Sequence, residues 1–341
     1  MPRVCAKVFF TKAVAFSADF SMNGSRQDFF RAVAAVAVVA AMLAVWAVVR
    51  DEVAIFPELG ALAVGLLLLD KAVWRVSKVM CVVVMTVSAA IGVLPQVVLT
   101  SLDGVDFVLR LATPPFVFLL IGILLFFCRA FLSPAFSAGL LPALLGISSW
   151  VYVGVVASSV VTVLAIQWLL EAAGVRRYRM PLVAAPADSP VAGGVREWLV
   201  LSLCIVPPVV AGWASGWLFV AAPPLIVTLV EFALGGSGFR SRPWQVLFML
   251  VFGAAAGSVS VIIFCSLGYG LVPAGLCATA AMLLIFYLFR KAYAPAVSVA
   301  LLALLTHGEA VWTYPFQVAL GAAYAIVASS LPYMLFPREK A

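Results

Sequence analysis

The polar residues best placed to act on a solute occur in a pattern that the chain writes twice. RAFLSPAFSAGLL, from Arg129, and RKAYAPAVSVALL, from Arg290, share four residues at one spacing: Arg129, Pro134, Ala135 and Ser137 recur as Arg290, Pro295, Ala296 and Ser298, a constant offset of 161. Each proline opens a short apolar segment. Proline has no amide hydrogen and fits the first turn of a helix, so the N–H groups that follow it, and the positive end of the helix dipole, point at whatever lies beside them. Short segments interrupted by proline at matching places in two halves are a pointer to a transporter's binding site. The expectation is that Pro134, Ser137, Pro295 and Ser298, with the neighbouring Ser133 and Tyr293, line a small polar cavity that favours an anion. The plainer alternative is that these residues shape a helix start and let backbones approach closely. Arg129 and Arg290 read as solvated anchors before attractors of anions.

Charged residues inside apolar runs are few. Glu231, in LIVTLVEFALGG, is the candidate for coupling to protons, against a reading as a side chain that snorkels to an interface. Glu58, Asp70 and Arg110 fall near expected segment ends, and His307 with Glu309 reads as a solvated pair in an outer turn. With one histidine in the chain, no H-E-x-x-H zinc site can form, and neither G-x-S-x-G nor a phosphate-cradling glycine loop occurs. No catalytic residue, metal or cofactor is expected, so the chain is not read as an enzyme. The six cysteines show no C-x-x-C spacing and read as small packing residues.

The elements that must hold these residues follow from composition. Of 341 residues, 65% are hydrophobic and 10% are charged. A soluble helical protein would need polar helix faces that are missing here, and a transmembrane barrel would alternate apolar and polar residues. Apolar runs instead follow one another at the length a bilayer-spanning helix requires. Helices are expected near 29–50, 54–70, 77–99, 106–128, 133–147 and 149–170, then 197–215, 218–234, 243–265, 270–289, 294–306 and 312–335. A break between the seventh and eighth is expected around Gly212 to Gly216. With a cytoplasmic N-terminus, all but Arg50 and Arg110 of the 21 basic residues fall on the inner side, which places both termini inside. The formal charge of +7 lies in short clusters between apolar runs, and nucleic acid is not an expected partner. Lipid, a small solute or ion, and another copy of the chain are.

The fold expected is an all-α polytopic transmembrane bundle of about 12 helices, built as two parallel six-helix repeats with short fifth and eleventh helices. Beyond the Arg/Pro/Ala/Ser match, Trp150 and Tyr152 recur as Trp312 and Tyr314, and Pro57 matches Pro223. An even number of crossings per unit gives both copies the same orientation. The divisions are a cytoplasmic tail (1–28), a first repeat (29–170), a basic, proline-bearing linker (171–196), a second repeat (197–335) and a cytoplasmic tail (336–341). Either Met1 or Met22 could start the chain. VSAAIGV, from Val87, and GAAAGSV, from Gly253, read as seams where helices pack closely.

The second half resembles the HPP family of integral membrane proteins. FVAAPPLIVTLVEFALGGSGFRSRPWQV, then FRKAYAPAVSVALLALL, then VWTYPFQVALGAAYAIV follow that family's order over residues 196–335, with 29–170 as a fainter second copy. The family's His-Pro-Pro start is degraded: Tyr293 stands at the histidine position, Ala294 at the first proline and Val297 at the glycine, while Pro295 and Ala296 remain. The resemblance implies a permease or secondary transporter in a bacterial cytoplasmic membrane, with nitrite or a similar small anion as the substrate class. A weaker resemblance is to the membrane unit of fusaric-acid resistance and aromatic-acid efflux proteins, which usually carry cytosolic domains for which the linker and tail here are short. The competing expectation from another class is a non-transporting membrane scaffold or assembly protein.

Overall fold

The computed structural model describes residues 26–69, 73–101, 107–176, 179–182, 194–235, 240–306 and 308–335. The two expected tails, up to Ser25 and from 336 onward, much of the linker with Arg177, and Asp70, Lys71 and His307 lie outside the described residues. Among the described residues the structure is all helical, with one isolated antiparallel bridge, Arg75 to Phe131. The first half holds α1 (Arg26–Val49), α2 (Glu58–Ala63, continued by a π turn Val64–Leu68), α3 (Lys78–Ser101), α4 (Phe107–Phe127), α5 (Pro134–Leu145) and α6 (Val151–Ala172). The second holds α7 (Val195–Ser215), α8 (Pro223–Leu234), α9 (Pro243–Ser266), α10 (Leu271–Phe289), α11 (Ala294–Leu302, continued by a 3-10 turn Ala303–Leu305) and α12 (Ala310–Ala328), followed by the short α13 (Leu331–Leu335).

Eight of these helices, α1, α3, α4, α6, α7, α9, α10 and α12, are long and apolar enough to cross a membrane. The expectation of short fifth and eleventh helices is met by α5 and α11, but the second and eighth are also short. Pro57 restarts the chain after a 3-10 turn at Glu52–Ala54, and Pro223 does so after another at Leu218–Ala221. Eleven to twelve residues make about 16–18 Å of helix, well under a hydrocarbon core of about 30 Å. The break between α7 and α8 falls where small residues predict it, at Gly216, whose φ of 74° is left-handed.

The short helices form the centre. Residues 54–69, 132–144, 221–233 and 292–306 are buried without a break. The long helices surround them and turn large apolar side chains outward, among them Val48, Phe127, Trp244 and Phe316. Such exposure would be ruinous in water and is what lipid requires, so the molecule is a polytopic membrane protein.

Partners are exchanged between the halves. The short α2 packs on α11 and α5 on α8, while the long α1 packs on α10 and α4 on α7. Within each half, the second long helix lies along the second short one, α3 on α5 and α9 on α11. The seams expected at 87–93 and 253–259 are these contacts: a Cβ on Gly92 would overlap the carbonyl of Gly139, and one on Gly257 the carbonyl of Ala300. Arg129 and Arg290 also correspond, each exposed and left-handed, with φ of 47° and 50°, where a long helix gives way to a short one.

One end of the bundle is closed by ionic contacts with the linker. Buried Glu171 of α6 pairs with Lys78 of α3, lies 3.6 Å from Arg176 and accepts from the Met180 amide at 3.2 Å. Arg176 donates to the Leu69 carbonyl at the end of α2, and Arg31 of α1 donates to that of Val175. The carbonyls of Pro181 and Leu182 accept from the first amides of α3, so the linker caps that helix.

Candidate functional site

Three of the candidate residues, Ser133, Tyr293 and Glu231, lie together where the short helices α5, α8 and α11 pack. At the start of α5, the Ser133 hydroxyl donates to Glu231 Oε1 at 2.6 Å and accepts from the Trp74 indole nitrogen at 2.9 Å. Glu231 belongs to α8, so this chain of hydrogen bonds joins the halves. The Tyr293 hydroxyl, just before α11, donates to Thr228 Oγ1 at 3.0 Å and lies beside the same carboxylate. Thr228 in turn donates to the Pro224 carbonyl at 3.0 Å. Ser133, Tyr293 and Glu231 are therefore one cluster, completed by Trp74 and Thr228, which sequence reasoning did not single out. Glu231 is 5% exposed, and its placement among these partners is not that of a side chain reaching for water.

Ser137 takes part in a second cluster. It stands one turn beyond Ser133 and is fully buried, and its neighbour is the carboxylate of Glu58 at the start of α2. Neither the Ser137 hydroxyl nor either Glu58 oxygen makes a hydrogen bond of ordinary geometry. Two buried tyrosines, Tyr152 of α6 and Tyr314 of α12, lie within electrostatic reach of Glu58. Each is held by its own hydroxyl, Tyr152 to the Ala138 carbonyl at 2.9 Å and Tyr314 to that of Val299 at 2.6 Å. The two rings thus bring both halves to one carboxylate. Eleven residues of helical rise separate Glu58 from Leu69 at the linker end, about 16 Å, or half the depth of a bilayer core.

The remaining expected residues stand apart from these clusters. Pro134 is buried and opens α5, and Pro295 is buried in the first turn of α11. The amides that these prolines were expected to leave free are engaged locally: Ala135 donates to Leu132, Phe136 to Ser133 and Ala296 to Tyr293. Ser298, the counterpart of Ser137, is buried with no hydrogen-bond partner for its hydroxyl. Arg129 and Arg290 make none of the contacts described here. A cleft of about 340 Å³ opens elsewhere, between Ile262, Leu271, Thr306 and Trp312, and its lining is mostly apolar.

Glu58 was legible only as a carboxylate near a segment end. The signal that could have found it is its place immediately after Pro57: a helix restarted by proline inside an apolar run puts its first acidic residue at depth. Chemically the centre offers two carboxylates, three tyrosine hydroxyls and a ladder of serine and threonine hydroxyls, a set able to hold protons or donate hydrogen bonds. Among the described residues no cluster of His, Cys, Asp and Glu could hold a metal ion. Compared with protein-family models, with curated proteins and with solved structures, the chain finds no match in any of the three.

Proposed function

We propose that this protein is a secondary transporter, a permease without enzymatic activity, that moves a small solute by alternating access between its two six-helix halves. The observation that carries this reading is the Glu58 carboxylate, buried among the short helices beside Ser137 with no hydrogen bond of ordinary geometry, and within electrostatic reach of Tyr152 from one half and Tyr314 from the other. Polar side chains are costly in the membrane interior and mark pathways for solutes and ions. A site at the junction of two units in the same orientation is where rocking of one half against the other would open it to either side. The exchanged partners α2 with α11 and α5 with α8 support a duplicated ancestor. In this reading the linker end, with Arg31, Lys78 and Arg176, faces the cytoplasm of a bacterial cell. The resemblance of residues 196–335 to the HPP family makes a small anion the first substrate class to test, and an aromatic-acid efflux role the next.

A second reading, a non-transporting scaffold, is favoured by the close packing at Gly92 and Gly257, where backbones touch. Flux separates the two. Proteoliposomes holding the full chain are loaded with nitrite, nitrate, formate or benzoate, and efflux is compared with protein-free liposomes. Transport predicts saturable flux of at least one solute, reduced in Ser137→Ala or Ser298→Ala. Equal leak in both preparations for every solute supports the scaffold.

A further inference from the structure

The two carboxylates of the centre, Glu58 and Glu231, address one face of one short helix. Ser133 and Ser137 are four residues apart on α5, so they share a face and lie about 6 Å apart along its axis. Ser133 serves Glu231 on α8, and Ser137 adjoins Glu58 on α2. We propose that Glu58 and Glu231 are two proton-binding stations on one path, Glu58 at mid-depth and Glu231 nearer the linker end, with the hydroxyls of Ser137 and Ser133 passing the proton between them. This rests on the transporter reading and adds to it the coupling ion.

A buried carboxylate stays ionised only when it is paired or binds a metal; otherwise it holds a proton, and inside a membrane such groups mark proton relays. Among the described residues no basic side chain pairs with either carboxylate, and no cluster of His, Cys, Asp and Glu could hold a metal ion. The partners of Glu231 are Ser133, Trp74 and Tyr293, and those of Glu58 are Ser137, Tyr152 and Tyr314, with no basic side chain among them. Arg240, beside the end of α8, donates to the carbonyls of Phe232 and Ala233 instead. At the offset that matches Pro57 to Pro223, the position of Glu58 corresponds to Pro224 and that of Glu231 to Gly65. Each half contributes one carboxylate, at a different level, and the two levels are those joined by α5.

The proton balance is simple. A protonated Glu58 gives its proton to Ser137 Oγ while that hydroxyl releases its own, and Ser133 does the same toward Glu231, so no charge remains on either serine. The carboxylate left behind is reprotonated from the far side. One helical turn exceeds a hydrogen bond, so the path is interrupted between Ser133 and Ser137. A single water, or a shift of α5 against its neighbours, closes it, and such a shift is the motion that alternating access demands.

Infrared spectroscopy of the full chain in liposomes, taken between acid and alkaline pH, reads the stations without any substrate. The expected result is two carboxylic C=O bands, one absent from Glu58→Gln and the other from Glu231→Gln. Ser137→Ala should move the Glu58 band, and Ser137→Thr should restore it. Identical bands in wild type and both glutamine variants would overturn the proposal, and monodisperse elution of each variant guards against misfolding. Flux of nitrite as probe then separates this proposal from the one it rests on. With one proton carried per anion, a gradient of one pH unit should raise accumulation about tenfold, and Glu58→Gln and Glu231→Gln should each abolish that gain. Wild-type flux indifferent to the gradient would overturn proton coupling and leave transport standing. Bands that titrate as expected, with no solute moved, would uphold the two stations and remove the transporter.

Discussion

Tyr152 and Tyr314 show how much one hydroxyl is asked to do in this interior. Each is fully buried, and each closes onto a carbonyl of the short helix in its own half. Removing a hydroxyl leaves a buried carbonyl short of a donor, so Tyr152→Phe and Tyr314→Phe should each cost about 1 kcal/mol. Thermal unfolding in detergent should report similar losses, since the two contacts correspond across the halves. The Glu171 cluster is a different case. Its charges are paired inside the protein, and removing one partner strands the others, an effect of about 3 kcal/mol. Glu171→Gln should therefore destabilise more than either tyrosine change, and hydrogen exchange should show the amides of Lys78 and Val79 losing protection as the linker lifts from α3.

Among the helices, the close approaches decide what can change. Gly92→Ala and Gly257→Ala each push a methyl group into a backbone carbonyl that cannot retreat, so each should cost about 2 kcal/mol or more. Gly154→Ala is the control: nothing lies within 4 Å of a Cβ there, and it should be neutral or gain up to about 1 kcal/mol from helix propensity. Unfolding in detergent with increasing SDS ranks the three. The long helices were readable because lipid and a packed core ask for the same apolar run, and the expected 77–99 and 243–265 differ from α3 and α9 by two residues or fewer at either end. That same equivalence hid the rest. Hydropathy cannot tell an apolar residue facing lipid from one facing protein, so 54–70 read as a full crossing although Leu59 and Leu62 are buried against other helices. For that reason Glu58 was placed near a boundary. The Ser133, Tyr293 and Glu231 cluster was half legible: proline spacing picked out the residues, but only packing of α5 on α8 could show that they touch.

Taken together, among the described residues eight long helices enclose four short ones, and the two halves trade partners. The proposed rocking of one half against the other about the junction at Glu58 takes the halves to run the same way through lipid. Sidedness of single cysteines tests that dependence directly. In a background with the native cysteines replaced, an impermeant maleimide is applied to sealed vesicles of each orientation carrying Arg26→Cys, Gly174→Cys, Gly194→Cys or Gly268→Cys. Arg26, Gly174 and Gly194 begin α1, follow α6 and precede α7, and Gly268 lies in the turn from α9 to α10. The prediction is labelling of the first three from one face, the cytoplasmic one, and of Gly268→Cys from the other. Labelling of Arg26→Cys and Gly194→Cys from opposite faces would mean that the halves are inverted, and would contradict the account.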